Sequence, residues 1–184
     1  MSTSDDIAAM VTRIRTMPLS EPPLPWRETA VHAVGGLTAV GFFESSELLL
    51  VCSHNGRGVF DCATGERIAR DPDAPGDWLS ERGLAAQGIG PLAGRVIRLA
   101  GPFGGGLPTV TADGWAVEVV WPDWPDGSLI LSPLGESVLV PRCNSRCVKI
   151  RAVEELRAFG FSGSGCSLVV AESHTLTIFG REAA

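Results

Sequence analysis

The chain has 184 residues, of which 45% are hydrophobic and 20% charged, as in an ordinary globular domain that is large enough to bury a core. Its formal net charge of −6 argues against a nucleic-acid partner, because affinity for phosphates comes mostly from Lys and Arg. No apolar run is long enough to cross a membrane, and the first residues, Met-Ser-Thr-Ser-Asp-Asp, are acidic where a signal peptide is basic, so we expect a cytoplasmic protein with no membrane partner.

The pattern of residues 1–27 predicts a short amphipathic helix followed by a stiff linker. Ser4 is placed to cap a helix over residues 4–17. The apolar residues of this segment recur at the spacing of one helix face: Ile7, Met10, Val11 and Ile14. The prolines that follow forbid continuation of the helix: Pro18, Pro22, Pro23 and Pro25. We predict that residues 28–184 form a single β-domain on which this arm packs, and a role for the arm in a homodimer stays open.

Residues 47–61 carry the pattern of a tight β-hairpin. Leu48 to Val51 is an apolar run, Val59-Phe60 is its partner, and Asn55-Gly56 between them accept the positive φ of a type I′ turn. Neighbouring strands are predicted at 37–43 and 66–70, which gives an antiparallel meander of about four strands. Further strands are predicted from the following runs: 94–101, 115–121 and 128–131.

This hairpin pattern recurs twice in the chain. Residues 136–150 align with 47–61 at an offset of 89, with six of fifteen positions identical. Residues 156–179 align with 37–60 at an offset of 119, with these matches: Leu37/Leu156, Ala39/Ala158, Gly41/Gly160, Phe42/Phe161, Leu49/Leu168, Val51/Val170 and Phe60/Phe179. Internal repetition of one hairpin unit indicates a repeat or propeller architecture.

The run from Gly41-Phe42 through Val59-Phe60-Asp61 to Ala63-Thr-Gly-Glu66 resembles a β-propeller blade of the WD40 kind, and Gly160 to Val170 resembles the first half of another. The resemblance implies blades of antiparallel strands around a central axis, used as a scaffold for binding. The fold class that we predict is therefore all-β: repeated antiparallel meanders in a small or irregular β-propeller-like domain, or a β-sandwich, with a short N-terminal helix.

Two features suggest enzymatic chemistry, and each has a structural explanation that we prefer. The loop Gly101–Gly106 offers backbone N–H groups to an anion, but it lacks the phosphate-binding glycine patterns. His54 follows Ser53 and His174 follows Ser173, but adjacent strand residues point to opposite faces. A hydrolase that uses this loop with His54 or His174 is the alternative function.

The chain has five cysteines, an odd number, and we interpret them as buried reduced thiols in a reducing compartment. Cys143 and Cys147 flank a predicted hairpin turn, where two thiols come near enough for a disulfide or a metal. No second Cys or His pair at zinc spacing lies nearby, so two reduced thiols are the preferred interpretation and no metal or cofactor is predicted.

The most informative polar feature is a segment without basic residues, from Leu99 to Pro141. Within it, Trp121-Pro-Asp-Trp-Pro-Asp-Gly127 sets Trp121 and Trp124 beside Asp123 and Asp126 on a turn stiffened by two prolines. Trp115 and Glu118 precede this turn. Rigid Trp side chains give contact area at low entropy cost, and acids orient a basic partner.

From these observations we predict a non-enzymatic protein-binding module. Its partner is a protein with a basic, partly apolar surface, and an immunity protein that neutralises a toxin enzyme or an adaptor in a larger complex fits this description. The residues predicted to make the contact are Trp115, Glu118, Trp121, Asp123, Trp124 and Asp126.

Overall fold

Backbone contacts group the chain into two units, which are described separately. The structure is a computed structural model and describes residues 3–133, 135–140 and 146–182. Unit 1 contains residues 1–24 and 109–154, and unit 2 contains residues 25–108 and 155–184. The predicted arm (1–27) and single β-domain (28–184) divide the chain differently, and that division stays a prediction.

The described residues are mostly β-strand, as expected for an all-β fold with one N-terminal α-helix. The elements are α1 (Thr3–Thr16), β1 (Arg27–Ala33), β2 (Leu37–Phe42), β3 (Leu48–Ser53), β4 (Gly56–Asp61), β5 (Glu66–Asp71), β6 (Ala85–Gln87), a 3-10 helix (Gly90–Leu92), β7 (Val96–Arg98), β8 (Ala116–Asp123), β9 (Asp126–Ser132), β10 (Val148–Val153), β11 (Leu156–Phe161), β12 (Ser167–Glu172) and β13 (Thr175–Gly180). In this part of the chain, no helix has the length and apolarity needed to cross a membrane.

Unit 1 is a three-stranded antiparallel sheet covered by the helix. Its strand order is β10-β9-β8. Ile14 of α1 is buried against Ile130, Val138 and Cys147, and Met10 packs on the same cluster. The predicted apolar face therefore meets the core only in part, because Ile7 is 54% exposed. The linker then follows the sheet edge, where the Ser20 amide donates to the Lys149 carbonyl at 2.9 Å.

Unit 2 contains two four-stranded antiparallel sheets and one two-stranded sheet. The orders are β2-β3-β4-β5, β1-β13-β12-β11 and β6-β7. Strand alternation turns Leu49 of β3 towards a core that includes Val169 and Ile178 of the second sheet. The next residue, Leu50, faces a second cluster with Trp78 and the 3-10 helix. Because both faces of β3 are covered, this strand is apolar almost throughout.

The two four-stranded sheets repeat one another at the offset of 119 residues. The bounds of β11, β12 and β13 equal those of β2, β3 and β4 after this shift. The pairing of β2 with β3 is irregular between Leu37 and Ala39, and that of β11 with β12 is irregular between Leu156 and Ala158, at the matching place. The loops repeat a hydrogen bond as well, since Cys62 N–H donates to Glu47 and Arg181 N–H donates to Cys166.

The fourth strand differs between these sheets. In the first sheet it is β5, which follows β4 directly, whereas in the second it is β1, from the other end of the chain, which pairs antiparallel with β13. Both β1 and β5 are edge strands rich in charged and exposed residues, which discourages pairing with another chain.

Two predictions about the hairpin pattern need correction. Ser53 pairs with Gly56, so the turn residues are His54 and Asn55, and Asn55-Gly56 do not form a type I′ turn. Among the described non-glycine residues only Glu44 and Glu155 have positive φ, and here Gly56 alone supplies it, with φ of 102°. The copy expected at 136–150 is also wrong in part, because residues 136–140 lie in turns and loop before β10; positions 141–145 are outside the described residues.

Candidate functional site

The β8–β9 hairpin ends in a tip formed by residues 121–126. Asp123 pairs with Asp126 across the turn, and the Trp124–Pro125 peptide bond is cis. Trp124 is 81% exposed and Trp121 is 39% exposed. Their ring centroids are 5.6 Å apart with the ring planes at 54°, which is a favourable tilted aromatic contact. The structure thus brings together the two Trp and two Asp residues of the predicted loop.

Asp123 is held by an arginine that the sequence did not connect to it. Arg15 of α1 donates through Nε and Nη2 to Oδ2 and Oδ1 of Asp123, at 3.0 and 2.6 Å. The same Nη2 donates to the Pro122 carbonyl at 3.0 Å. This pair fixes the tip to the helix, and it places a positive charge of the protein itself beside one of the two carboxylates of the tip.

Glu118 lies further along β8, and its carboxylate is used within unit 1. Oε1 accepts the Ser137 hydroxyl at 2.6 Å and Oε2 accepts the Val138 amide at 3.0 Å. Trp115 precedes β8 and is half-buried; its backbone bonds to Thr111 close a turn. The tip therefore contains Trp121, Asp123, Trp124 and Asp126, and of its two acids Asp126 has no ion pair among the described residues.

The loop Gly101–Gly106, considered for anion binding, forms a small turn closed on itself. The amides of Gly101 and Gly104 donate to each other's carbonyls at 3.1 and 3.0 Å, so these two N–H groups have partners. The cleft beside the end of the loop, about 360 Å³, is lined largely by apolar residues such as Phe42, Leu107 and Phe161. None of the lining residues is a histidine.

The two Ser-His pairs lie at the ends of β3 and β12: Ser53 is the last residue of β3, whereas Ser173 and His174 both follow β12. Ser53 Oγ donates to the Gly56 carbonyl at 3.1 Å and accepts the Asn55 amide, so its hydroxyl stabilises the turn. Ser173 Oγ and His174 Nδ1 lie 3.2 Å apart. The expectation that these two side chains point apart is wrong for Ser173 and His174, because they lie in a turn and not in a strand.

Three of the cysteines that the structure describes, Cys52, Cys62 and Cys166, are free thiols. Cys52, Cys62 and Cys147 are buried, and Cys166 is half-buried. Burial raises the pKa of Cys52 to about 12, and burial also raises the pKa of Cys147. Cys143 lies outside the described residues, so the pairing of Cys143 with Cys147 remains open. No group of three His, Cys, Asp or Glu side chains is arranged for a metal ion within the described ranges.

Although the chain is acidic overall, two arginines, Arg57 and Arg70, lie close together on the first sheet of unit 2. Arg57 donates through Nε to Asp71 at 2.9 Å and lies over the Trp78 ring at 4.7 Å. Arg70 donates to the carbonyls of Asn55, Arg57 and Asp71. Backbone N–H donation from Asp73, followed by the Arg57 side chain, lowers the pKa of Asp71. These contacts join the hairpin turn, β4 and β5.

Comparison of the chain with protein-family models, with curated proteins and with solved structures finds no match. The sequence identified the hairpin tip through its Trp-Pro-Asp spacing, but it missed Arg15, which is far from Asp123 along the chain and carries no local signal for this contact.

Proposed function

We propose that this protein is a non-enzymatic protein-binding module that contacts its partner through the hairpin tip at residues 121–126. The observation that carries the proposal is the exposure of Trp124, which is 81% accessible and contacts the Trp121 ring. An exposed Trp held on a rigid turn costs little further entropy on binding and supplies a large contact area. Trp121 extends the same surface.

The partner that we propose is a protein with a basic, partly apolar surface. Asp126 belongs to the same tip and has no ion pair among the described residues, and the whole chain carries a formal net charge of −6. Opposite charges accelerate encounter and orient docking, while the Trp rings supply the short-range contact. An immunity protein for a toxin enzyme, or an adaptor, in the cytoplasm is consistent with this chemistry.

The scaffold that we propose for this module is β-propeller-like. Support comes from the two four-stranded meanders that share strand bounds at an offset of 119 residues, and from β1, which completes the sheet of β11, β12 and β13. In such an architecture the sheets serve as a rigid support and the loops and hairpins between them make the contacts.

The test compares Trp124→Ala with Phe103→Ala, a matched control because Phe103 is also a strongly exposed aromatic residue, at 71%. Tagged wild type and both variants capture proteins from an extract of the native host, and mass spectrometry quantifies what is bound. We expect a basic protein that the wild type and Phe103→Ala retain and Trp124→Ala loses. With the purified partner, Trp124→Ala should weaken affinity roughly thirtyfold, the effect of about 2 kcal/mol at a binding hot spot.

A captured partner whose affinity is the same for Trp124→Ala and the wild type would refute the proposed contact surface. The basic character of the partner has its own test. Affinity should fall as NaCl is raised from low to high concentration, because salt screens attraction between exposed charges. Affinity that does not change with salt would contradict the electrostatic part of the proposal.

A further inference from the structure

A small pocket on the first sheet of unit 2 is lined by arginines and by no acid. Its volume is about 130 Å³, and residues 33–35 at the end of β1 line it together with residues of β3, β4 and β5. The charged residues of its described lining are Arg57, Arg67 and Arg70, with no Asp or Glu among them. In a chain with a formal net charge of −6, the pocket is a local reversal of sign.

A β-bulge in β5 places Arg67 and Arg70 on one face of the sheet. Arg67 pairs with Phe60 and Arg70 pairs with Gly58, and the register between these two pairs skips Ile68. Phe60 and Gly58 are two residues apart on β4, so they face the same side of the sheet, and the residues paired with them share that side. Without the bulge, two residues three apart along a strand would face opposite sides. The irregularity therefore brings both arginines to the pocket.

The guanidinium groups of these two arginines differ in how many of their donors are in use. Arg70 Nη1 donates to the Arg57 carbonyl at 3.2 Å and to the Asp71 carbonyl at 2.6 Å, and its Nη2 donates to the Asn55 carbonyl. These bonds fix the position of Arg70 and leave two of the five N–H donors of an arginine for another acceptor. Arg67 is exposed, and its guanidinium has no hydrogen bond or ion pair with another described residue.

Gly58 leaves space in the pocket beside Arg67. A Cβ atom at this position would lie 3.5 Å from Phe60 Cε2 and 3.6 Å from Arg67 Cδ, so a side chain here would fill the space between two lining residues. The third arginine of the lining is engaged elsewhere, because the Arg57 guanidinium donates to the Asp71 carboxylate. The donors available to a ligand are therefore those of Arg67 and the remaining ones of Arg70.

We propose that this pocket binds a small molecule through a phosphate group. The phosphate oxygens accept hydrogen bonds from Arg67 and Arg70, and guanidinium groups match phosphate in both geometry and charge. A phosphate has more charge and more acceptor oxygens than a carboxylate, so it can engage both arginines at once. The acidic residues elsewhere in the chain oppose binding only weakly, because salt screens charges beyond about 8 Å at physiological ionic strength. This site is independent of the function proposed for the hairpin tip.

The experiment titrates the ¹⁵N-labelled full-length protein with sodium phosphate and, separately, with sodium acetate at constant ionic strength. Acetate has one charge and two oxygens. We expect saturable amide shifts at Gly58, Arg67 and Arg70 with phosphate, and binding of acetate that is weaker by roughly fivefold or more. Arg67→Gln should weaken phosphate binding roughly tenfold or more, because it removes charge-assisted hydrogen bonds. Arg82→Gln, at an exposed arginine outside the pocket lining, should bind phosphate as the wild type does.

Gly58→Ala provides a second test that removes no charge. Its methyl group would occupy the space beside Arg67, and we expect phosphate binding to weaken roughly fivefold, whereas Gly106→Ala, whose methyl group meets open space outside this pocket, should leave it unchanged. Three results would each overturn the proposal: no saturable binding of phosphate to the wild type, equal affinity for acetate, or unchanged affinity in a folded Arg67→Gln or Gly58→Ala protein. Loss of partner binding in Trp124→Ala has no bearing on these results.

Discussion

Arg15 and Asp123 form a two-pronged ion pair that fixes helix α1 to the end of strand β8. The two bonds are 3.0 and 2.6 Å long, and the two side chains remain 50% and 57% exposed. The geometry is that of a fork matched to a carboxylate, which is specific to Arg. Because Arg15 neutralises Asp123, Asp126 is the carboxylate of the hairpin tip that remains for another molecule.

Replacing both members of this pair should show a small but measurable coupling. We expect a coupling free energy of about 0.5 kcal/mol between Arg15→Ala and Asp123→Ala, because exposed ion pairs are partly screened by water. Urea unfolding of the wild type, the two single variants and the double variant measures it. The coupling should decrease in 1 M NaCl. The cycle of Arg15→Ala with Asp126→Ala serves as the control, and a coupling as large there would contradict the specific pairing.

Gly36 and Glu155 occupy equivalent positions of the two repeated sheets, and substitutions at them should act in opposite directions. Both have positive φ, 69° and 45°, and both carbonyls accept an N–H from the turn at the far end of the neighbouring strand. Glu155→Gly should raise the free energy of unfolding by about 0.5–1 kcal/mol, because glycine adopts this conformation without strain. Gly36→Ala should lower it by about 1–2 kcal/mol, since the new Cβ would also lie 3.1 Å from His54 Cδ2. Thermal and urea unfolding provide the measurement, and a stabilising Gly36→Ala would disprove the equivalence.

Thiol reactivity should separate Cys166 from the buried cysteines. Alkylation requires the thiolate, and burial raises the pKa of Cys52 to about 12. At pH 8, iodoacetamide should therefore alkylate Cys52 of the native protein at least about a hundredfold more slowly than Cys166, which is half-buried. Peptide mass spectrometry over time gives both rates. In urea the rates should become similar, and a fast native reaction at Cys52 would be inconsistent with its burial.

Asp71 should contribute to the acid dependence of stability. Its pKa is lowered by the Asp73 backbone N–H and by the Arg57 side chain, so the folded state favours the carboxylate. The contribution is present above the ordinary Asp pKa of about 3.9 and is lost as pH falls through the lowered folded value. Asp71→Asn should thus be destabilising at pH 7, and its difference from the wild type should shrink below pH 4. Urea unfolding at several pH values tests this, with Asp77→Asn as a control at an exposed carboxylate.

The sequence predicted the elements whose signals are local. The helix of the first residues, the meander around Leu48–Ser53 and the hairpin at Trp121–Asp126 all depend on spacing and turn residues within a short window. The offset of 119 residues was also visible, because buried positions of equivalent strands require similar apolar residues. The hairpin turn was misplaced by one residue and its predicted type I′ conformation was wrong, since the strand register that decides both depends on pairing along the whole hairpin.

What the sequence could not predict depends on residues that are far apart along the chain. The pairing of β1 with β13 and the Arg15–Asp123 ion pair each bring together separate segments. None of these contacts has a characteristic spacing, because the spacing is determined by how the sheets pack. The sequence therefore predicted the residues of the hairpin tip, but it did not predict that Arg15 contacts Asp123 there.

The pairing of Arg27 with Gly180 has a consequence for the order in which the protein assembles. During synthesis β1 leaves the ribosome early and has no sheet to join until β13 has been made. Unit 2 is also interrupted by residues 109–154, so its last sheet closes a very long loop. Contacts of this kind slow folding. Until they form, β1 is an edge strand without its sheet, and its backbone N–H and C=O groups stay unpaired.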